Sequence, residues 1–266
     1  CQSHCLLVWK SAVATLSSGC TIGGSKEGMG VAVADHSVVN ATDTTIGNTH
    51  HHNLQALDGT TLHLTRCASH HSETGANWAV DGRSTLVAAH CNVCGERSGL
   101  TSMFSIRGKE GMETQSSVMI SNGSTAELSH CQVIGAVASG MSASSSHVTA
   151  TACHFLRNNL GNVWVSPAST AHLEGCCCND APMGSGLLVH GCAEALGCQM
   201  SGNMMHGVDV ERGGQCVLRE CEVRGNTLGS GWYVEGAGSK VKACDSSVWG
   251  NGHMNVKVVD CAVLEM

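Results

Sequence analysis

The sequence contains few charged residues, few aromatic rings and little proline. Asp, Glu, Lys and Arg make up 13% of the 266 residues, Phe, Trp and Tyr make up 3%, and proline occurs twice. The apolar fraction of 42% is ordinary for a folded protein, so the composition excludes intrinsic disorder. The apolar residues are mainly Val, Ala, Leu, Cys and Met. We therefore expect a narrow core of small and β-branched side chains.

Long apolar runs and basic clusters are also missing. No run of 18 apolar residues occurs, so we expect no membrane-spanning segment. The net charge is −7, and Lys240 and Lys242 are the nearest approach to a basic cluster, so we expect no nucleic-acid partner. The chain begins at Cys1 without Met and shows no signal peptide. We expect it to be a fragment of a longer chain.

Cysteine, in contrast, is abundant, and nine of the 17 cysteines recur at a regular spacing. These are Cys20, Cys67, Cys91, Cys131, Cys153, Cys176, Cys198, Cys221 and Cys244. Successive members lie 22 to 24 residues apart except at two gaps. Thr44 stands where a cysteine would fall in the first gap, and the second gap, after Cys91, is about 17 residues too long. Such self-similarity predicts a repeat architecture.

A second column of apolar residues has the same period and the same interruption. Its members are Val8, Val33, Leu57, Val80, Ile120, Ala143, Val165, Val189, Val210, Val234 and Val258. From Val33 to Val234, each member precedes its cysteine, or Thr44, by 9 to 11 positions. Two columns with one shared interruption indicate about ten stacked coils of 21 to 24 residues.

Within a coil, residues alternate in polarity as they do in strands, and glycine marks the corners. Residues 207–210 and 231–234 begin strands whose alternate side chains face inward. Coils close at the dipeptides Gly47-Asn48, Gly161-Asn162, Gly202-Asn203, Gly225-Asn226 and Gly250-Asn251. Gly and Asn tolerate left-handed backbone at a corner, and stacked Asn amides can bond along the axis.

Units such as residues 208–231 resemble the parallel β-helix repeat family, which includes pectate-lyase-like and F-box β-helix solenoids. The resemblance covers residues from about 8 to 264 and implies an all-β, right-handed, single-stranded parallel β-helix. We expect one domain over residues 1–266, with an insertion or degenerate coil at about 95–117. A leucine-rich repeat is the alternative, because residues 218–228 fit that template too. The Gly-bounded strand in the other half of each coil disfavours it.

Cysteines that follow the repeat indicate buried packing, because free cysteine behaves as a small hydrophobic residue. We expect reduced thiols and an intracellular, cytoplasmic location, with an extracellular one left open. Ligand types for a metal occur in four groups, namely His50–His52, His70-His71, Cys91-x-x-Cys94 and Cys176–Cys178. Consecutive strand residues point to opposite faces, and a lone Cys-x-x-Cys is weak, so we expect no metal and no cofactor.

The acidic residues Asp35, Asp58 and Asp81 follow the apolar column on three consecutive coils. Carboxylates close together could act as acid and base in glycoside hydrolysis. Asp58-Gly59 and Asp81-Gly82 are also ordinary turn dipeptides, and Glu211 and Glu235 continue the column as a solvated edge would. The motifs of polygalacturonases are absent. The three aspartates are therefore the catalytic residues to expect only if the chain is an enzyme.

The sequence favours a non-catalytic structural or protein-interaction solenoid, with a protein as its partner. This expectation rests on the likeness of the repeat to β-helices in scaffolding proteins, and fold alone does not identify function. The alternative is a carbohydrate-active β-helix, that is, a polysaccharide lyase, a glycoside hydrolase or a sugar-binding remnant, with a polysaccharide as ligand. Convergence of the three aspartates in one groove would favour the enzyme.

Overall fold

A computed structural model describes residues 4–17, 19–95 and 116–266, which form 32 strands and no helix. Three consecutive strands make one coil, and each strand pairs in parallel with the equivalent strand of the next coil, which gives three parallel sheets. Sheet 1 contains β1 (Leu6–Val8), β4 (Val31–Val33), β7 (Leu54–Ala56), β10 (Trp78–Val80), β13 (Val118–Ser121), β16 (Ser139–Ser144), β19 (Gly161–Val165), β22 (Ser185–Val189), β25 (Val208–Val210), β28 (Trp232–Glu235) and β31 (Val256–Val259). Sheet 2 contains β2 (Val13–Leu16), β5 (Val38–Thr42), β8 (Thr61–Thr65), β11 (Thr85–Ala89), β14 (Thr125–Ser129), β17 (His147–Thr151), β20 (Thr170–Glu174), β23 (Cys192–Leu196), β26 (Gln215–Arg219), β29 (Lys240–Cys244) and β32 (Val263–Glu265). Sheet 3 contains β3 (Thr21–Gly23), β6 (Thr45–Thr49), β9 (Ala68–Ser72), β12 (Asn92–Cys94), β15 (Gln132–Ile134), β18 (His154–Leu156), β21 (Cys177–Asn179), β24 (Gln199–Ser201), β27 (Glu222–Arg224) and β30 (Ser247–Trp249).

This architecture confirms the predicted parallel β-helix of about ten coils. The leucine-rich repeat is wrong, because the described residues contain strands where that fold places its outer helices. No helix in the described ranges has the length and apolar character needed to span a bilayer. Most of the predicted insertion at 95–117 falls on residues 96–115, outside the described residues. The described strands that precede and follow it in the chain are β12 of sheet 3 and β13 of sheet 1.

The predicted apolar column lies on sheet 1. Val80 pairs with Ile120, and both side chains are buried. One member of the column is wrong: Ala56, and not Leu57, pairs with Val33 and with Val80. Because alternate strand residues face opposite sides, a shift of one residue takes a side chain out of the core, and Leu57 is only half-buried. The error arises because the steps from Val33 to Ala56 and from Ala56 to Val80 are 23 and 24 residues, so spacing alone does not separate Ala56 from Leu57.

Seven buried cysteines form a row at the corner between sheet 2 and sheet 3, which we call the cysteine row. Its members are Cys67, Cys91, Cys131, Cys153, Cys176, Cys198 and Cys221. The thiol of Cys153 donates to the carbonyl of Thr151 at 3.4 Å, and that of Cys176 donates to the carbonyl of Ala150 at 3.3 Å. The Thr151 carbonyl also accepts from the His130 amide at 2.9 Å, so the thiol adds a second donor at this corner. All cysteines in the described part of the chain are free.

Hydroxyl residues take the same corner position in two other coils. Thr44 donates to the carbonyl of Thr42 at 3.1 Å, and Ser246 donates to the carbonyl of Cys244 at 3.1 Å. The assignment of Cys244 to the repeat is wrong, because this residue lies in β29 and is exposed. The amide of Ser247 bonds the carbonyl of Cys221 at 2.8 Å, which aligns Ser246 with the row. The corner position between sheet 2 and sheet 3 thus favours a small side chain that can donate a hydrogen bond.

Stacked asparagines, which we call the asparagine row, follow the corner between sheet 3 and sheet 1: Asn203, Asn226 and Asn251 lie at the corner, and Asn162 joins them from β19, where the sequence predicts a corner. Asn162 Nδ2 donates to Asn203 Oδ1 at 3.1 Å, Asn203 Nδ2 donates to Asn226 Oδ1 at 3.0 Å, and Asn226 Nδ2 donates to Asn251 Oδ1 at 2.7 Å. The predicted amide stacking is therefore present, but Asn48 is exposed and outside the row. Buried amides need such partners because an unpaired one is costly.

Glycines before the sheet 1 strands make room for the asparagine row. A Cβ added at Gly207 would lie 2.8 Å from Asn226 Nδ2, and one at Gly231 would lie 2.6 Å from Asn251 Nδ2. These distances are shorter than van der Waals contact. The recurring glycine is therefore a packing requirement at this corner.

Candidate functional site

The outward-facing residues of sheet 1 change in character along the axis. After Leu7, the outward row continues with residues that are neither aromatic nor charged, namely Ala32, Gln55, Ala79, Met119 and Ser142. Ser142 then pairs with Trp164, Trp164 with Leu188, and Leu188 with Asp209. Asp209 pairs in turn with Tyr233. Each side chain points away from the core because it stands between inward-facing neighbours.

A cavity of about 240 Å³ lies on the outside of sheet 1 over this part of the outward row, and we call it the sheet-1 cavity. Its lining consists of Leu160, Trp164, Met183, Gly184, Ser185, Leu188, His190, Met205, Asp209, Glu211 and Arg212. Leu188 supplies the middle of the floor, because its neighbours in the row are Trp164 and Asp209. Met183 and Met205 come from the corner before sheet 1, and both are largely exposed. The cavity therefore has an apolar side toward that corner.

Polar side chains form the opposite side. Asp209 is only 9% exposed. Its Oδ2 accepts a hydrogen bond from the Ser185 hydroxyl at 3.3 Å. His190 Nε2 lies 3.7 Å from Glu211 Oε2, and the Glu211 side chain is 21% exposed. Arg212 is exposed in the turn that follows, with a left-handed φ of 56°. The cavity thus brings two carboxylates, an imidazole and a guanidinium to one edge.

Trp164 joins the two sides. Trp164 is 7% exposed, and the His190 ring packs edge-on against its indole, with ring centroids 6.2 Å apart. The indole Nε1–H is buried and has no acceptor among the described residues. A buried donor without an acceptor is costly, so an acceptor atom from a ligand at this site would be favourable.

Beyond Asp209 the outward row continues with Tyr233, whose ring is covered. The His206 ring stacks on it at 4.4 Å, and Lys257 Nζ lies 5.0 Å from its centroid. Its hydroxyl donates to Glu235 Oε2 at 2.7 Å. Burial and the Glu235 carboxylate raise the pKa of Tyr233 above its usual value. Tyr233 is therefore a fixed boundary of the site.

The structure does not gather the three predicted aspartates into the sheet-1 cavity. Asp35 and Asp58 take equivalent turn positions with left-handed φ of 57° and 56°, and both are exposed. Asp81 stands one position earlier in its turn, and its Oδ1 accepts from the Gly82 amide at 2.7 Å. Asp58 lines an open depression with Arg83, whose lining does not include the other two aspartates. Their catalytic role stays a prediction.

The histidines predicted as candidate metal ligands bind different neighbours. His50 Nδ1 bonds Glu73 Oε2 at 2.8 Å, and His51 Nδ1 bonds Thr74 Oγ1 at 2.9 Å, so these neighbouring rings engage different groups. Across residues 4–17, 19–95 and 116–266, no group of three or more His, Cys, Asp or Glu side chains is arranged to hold a metal ion.

Sequence reasoning missed Trp164, His190 and Asp209, and treated Glu211 as a solvated edge. Glu211 instead lines the cavity. A signal was available, because the outward residue between two core residues is neither aromatic nor charged in the early coils and becomes Trp164 in Val163-Trp164-Val165. The first aromatic or charged residue in an outward row indicates where the surface of the sheet changes in chemical character.

The family described as right-handed β-helix region matches residues 29–196. No curated protein sequence matches the chain. Among solved structures, pectate lyase Pel9A is similar with a TM-score of 0.45 and 13% identity, over 95% of this chain and 72% of that chain. The A-module of Azotobacter vinelandii mannuronan C-5 epimerase AlgE4 has a TM-score of 0.33 and 8% identity, over 91% of this chain and 65% of that chain. The family match spans more than half of the sequence, and the chain therefore belongs to the right-handed β-helix family.

Proposed function

We propose that the chain is a carbohydrate-binding solenoid whose ligand occupies the sheet-1 cavity. The observation that carries the proposal is the pairing of an apolar strip with a nearly buried carboxylate in one cavity. Leu188 and Met183 form the strip, and Asp209 supplies the carboxylate. A sugar ring presents matching surfaces, with C–H groups on its faces and hydroxyl groups around its edge.

Two alternatives to a sugar fit this lining less well. A purely apolar ligand would remove water from the carboxylates of Asp209 and Glu211 without supplying hydrogen bonds, which is unfavourable. A small ion would leave the floor at Leu188 uncovered. Sugar hydroxyls donate to carboxylates, and a sugar oxygen can accept from the indole N–H of Trp164. A cavity of about 240 Å³ is smaller than the roughly 300–1,000 Å³ of most ligand pockets, so it suits no more than a single sugar unit.

The proposal takes up the carbohydrate alternative in its binding form. It includes no bond cleavage, because the predicted acid and base residues lie outside the sheet-1 cavity. A protein-binding role stays a prediction of the sequence.

The test is binding to a glycan array, followed by calorimetric titration with the oligosaccharides that bind. Leu188→Arg places a long charged side chain on the cavity floor and is expected to weaken binding at least tenfold. Gln55→Arg is the matched control, since Gln55 takes the same outward position on β7 and lies outside the cavity. Thermal unfolding checks that both variants fold. Absence of glycan binding, or equal binding by the two variants, would refute the proposal.

A further inference from the structure

We infer that Asn122 is a site of spontaneous deamidation, which converts its side-chain amide into a carboxylate. Two Asn-Gly dipeptides occur in the chain, Asn122-Gly123 and Asn251-Gly252. Glycine after asparagine favours this reaction, because no side chain hinders attack by the glycine nitrogen on the amide carbon. The two dipeptides share the same reactive groups, so only their surroundings distinguish them. The inference does not depend on the sugar proposed for the sheet-1 cavity.

The two asparagine side chains differ in how firmly they are held. Asn122 is exposed in the turn between β13 and β14, and within the described ranges its backbone, not its side chain, makes the hydrogen bonds there. Asn251 belongs to the asparagine row, where its Oδ1 accepts from the amide of Asn226 at 3.1 Å and from Asn226 Nδ2 at 2.7 Å. Rotation of the Asn251 amide toward Gly252 would break these bonds, whereas the Asn122 amide rotates without such a loss.

The space around the two glycines differs in the same direction. Both glycine amides donate to a carbonyl of another coil at 2.7 Å, so this bond does not separate the sites. A Cβ added at Gly252 would overlap the Thr227 carbonyl, whereas the nearest atom to a Cβ at Gly123 is Arg83 Cγ at 3.4 Å. The backbone at Gly252 is therefore packed against a neighbouring coil, and the backbone at Gly123 has room to move toward the amide carbon.

The reaction proceeds in two steps with water as its only co-reactant. The backbone nitrogen of Gly123 loses its proton to solvent and attacks Asn122 Cγ. The bond from Cγ to the side-chain nitrogen breaks, ammonia leaves with a proton from solvent, and a cyclic succinimide remains. Water then opens the ring at either carbonyl, which gives aspartate or isoaspartate at this position. Nothing is oxidised or reduced.

Either product changes the corner between sheet 1 and sheet 2. Aspartate adds a negative charge to the depression that Asn122 lines with Asp58 and Arg83. Isoaspartate routes the main chain through Cβ and so lengthens the turn by one atom. The Asn122 amide donates to the Ser144 carbonyl at 3.1 Å, and its carbonyl accepts from the Arg83 amide at 3.0 Å. The longer turn therefore weakens the pairing with both adjacent coils.

Incubation of the folded chain at mildly alkaline pH, followed by peptide mass spectrometry, measures deamidation at both dipeptides. We expect the rate at Asn122 to exceed that at Asn251 at least tenfold. The same incubation in concentrated guanidinium chloride is the control, because unfolding removes the difference in surroundings and the two rates should become similar. Asn122→Gln should abolish the signal at its own peptide and leave the rate at Asn251 unchanged. Enzymatic methylation of isoaspartate identifies the second product.

Three results would overturn the inference. Equal rates at the two sites of the folded chain would show that the asparagine row and the packing at Gly252 do not control the reaction. Intact Asn122 in the folded chain, over a period in which the unfolded chain is fully converted, would show that the turn protects it. A rate ratio that persists after unfolding would assign the difference to the local sequence. Binding of glycans affects none of these results, so the proposed function is tested separately.

Discussion

Trp164 and Asp209 stand two coils apart in one outward row of sheet 1, with Leu188 between them in register. Adjacent strands lie about 4.8 Å apart, so residues separated by 45 positions in the sequence have backbones only about 10 Å apart. A solenoid therefore assembles a site from residues that no local motif connects. The sheet-1 cavity is one instance, because side chains from successive coils line it.

The asparagine row makes Asn226 a residue whose loss the fold tolerates poorly. Its Oδ1 accepts from the amide of Asn203 at 3.1 Å and from Asn203 Nδ2 at 3.0 Å, and its Nδ2 donates to Asn251. Asn226→Ala leaves several buried groups without partners, and we expect the free energy of unfolding to fall by roughly 2–4 kcal/mol. Urea denaturation measures this. The exposed Asn92→Ala is the control, and equal losses in both would contradict the account.

Packing beside the same row predicts a difference between two glycines. A Cβ at Gly207 would overlap Val223 and approach the Gly231 carbonyl to 2.9 Å, so Gly207→Ala is expected to cost about 3 kcal/mol. Gly225 has a φ of +62° and open space around it, so Gly225→Ala is expected to cost about 1 kcal/mol through backbone strain alone. The two variants are compared by chemical denaturation. A larger cost at Gly225 would show that space at the corner does not limit this position.

Acidification is expected to weaken the fold through two histidines. Burial lowers the pKa of His52 and of His206, whose Nδ1 atoms accept from the amides of Ala76 and Ser230 at 2.9 Å. The unfolded chain takes up protons near pH 6.5 while these folded histidines do not, so the unfolded state binds more protons. Their contribution to stability is therefore complete above about pH 6.5 and decreases as the pH falls toward the lowered values.

The measurement is the free energy of unfolding as a function of pH. His52→Gln and His206→Gln are each expected to reduce the slope below pH 6.5 by up to about 1.4 kcal/mol per pH unit. His63→Gln is the control, because His63 is exposed on β8. An unchanged slope in both test variants would contradict the assignment.

Thiol chemistry is expected to divide the cysteines into fast and slow groups. Hydrogen bonding to a neighbouring thiol and burial raise the pKa of Cys176 and of Cys198 to about 12. The thiolate is the reactive form, so both should react with iodoacetamide at least tenfold more slowly than the exposed Cys192. Peptide mass spectrometry of a time course measures the rates. Disulfide-linked peptides, or equal rates in the native protein, would contradict the reduced, buried cysteine row.

The fold was predictable from the sequence because its core residues repeat once per coil. Errors fell at corners, where coil lengths vary by a residue or two. Spacing alone could not separate Leu57 from Ala56, and it placed Cys244 in the row although that residue belongs to a strand. The site was not predictable in the same way. Trp164 and Asp209 each occur once in their row, so periodicity carries no information about them, and only strand register brings them together.

The most direct test of the account is a crystal structure of the chain with an oligosaccharide that binds it in solution. The account predicts a sugar ring against Leu188, with a hydroxyl group at the Asp209 carboxylate and an oxygen near Trp164 Nε1. Electron density for the sugar at another surface, such as the depression around Asp58 and Arg83, would contradict it. So would a sheet-1 cavity that stays without sugar at a concentration that saturates binding in solution.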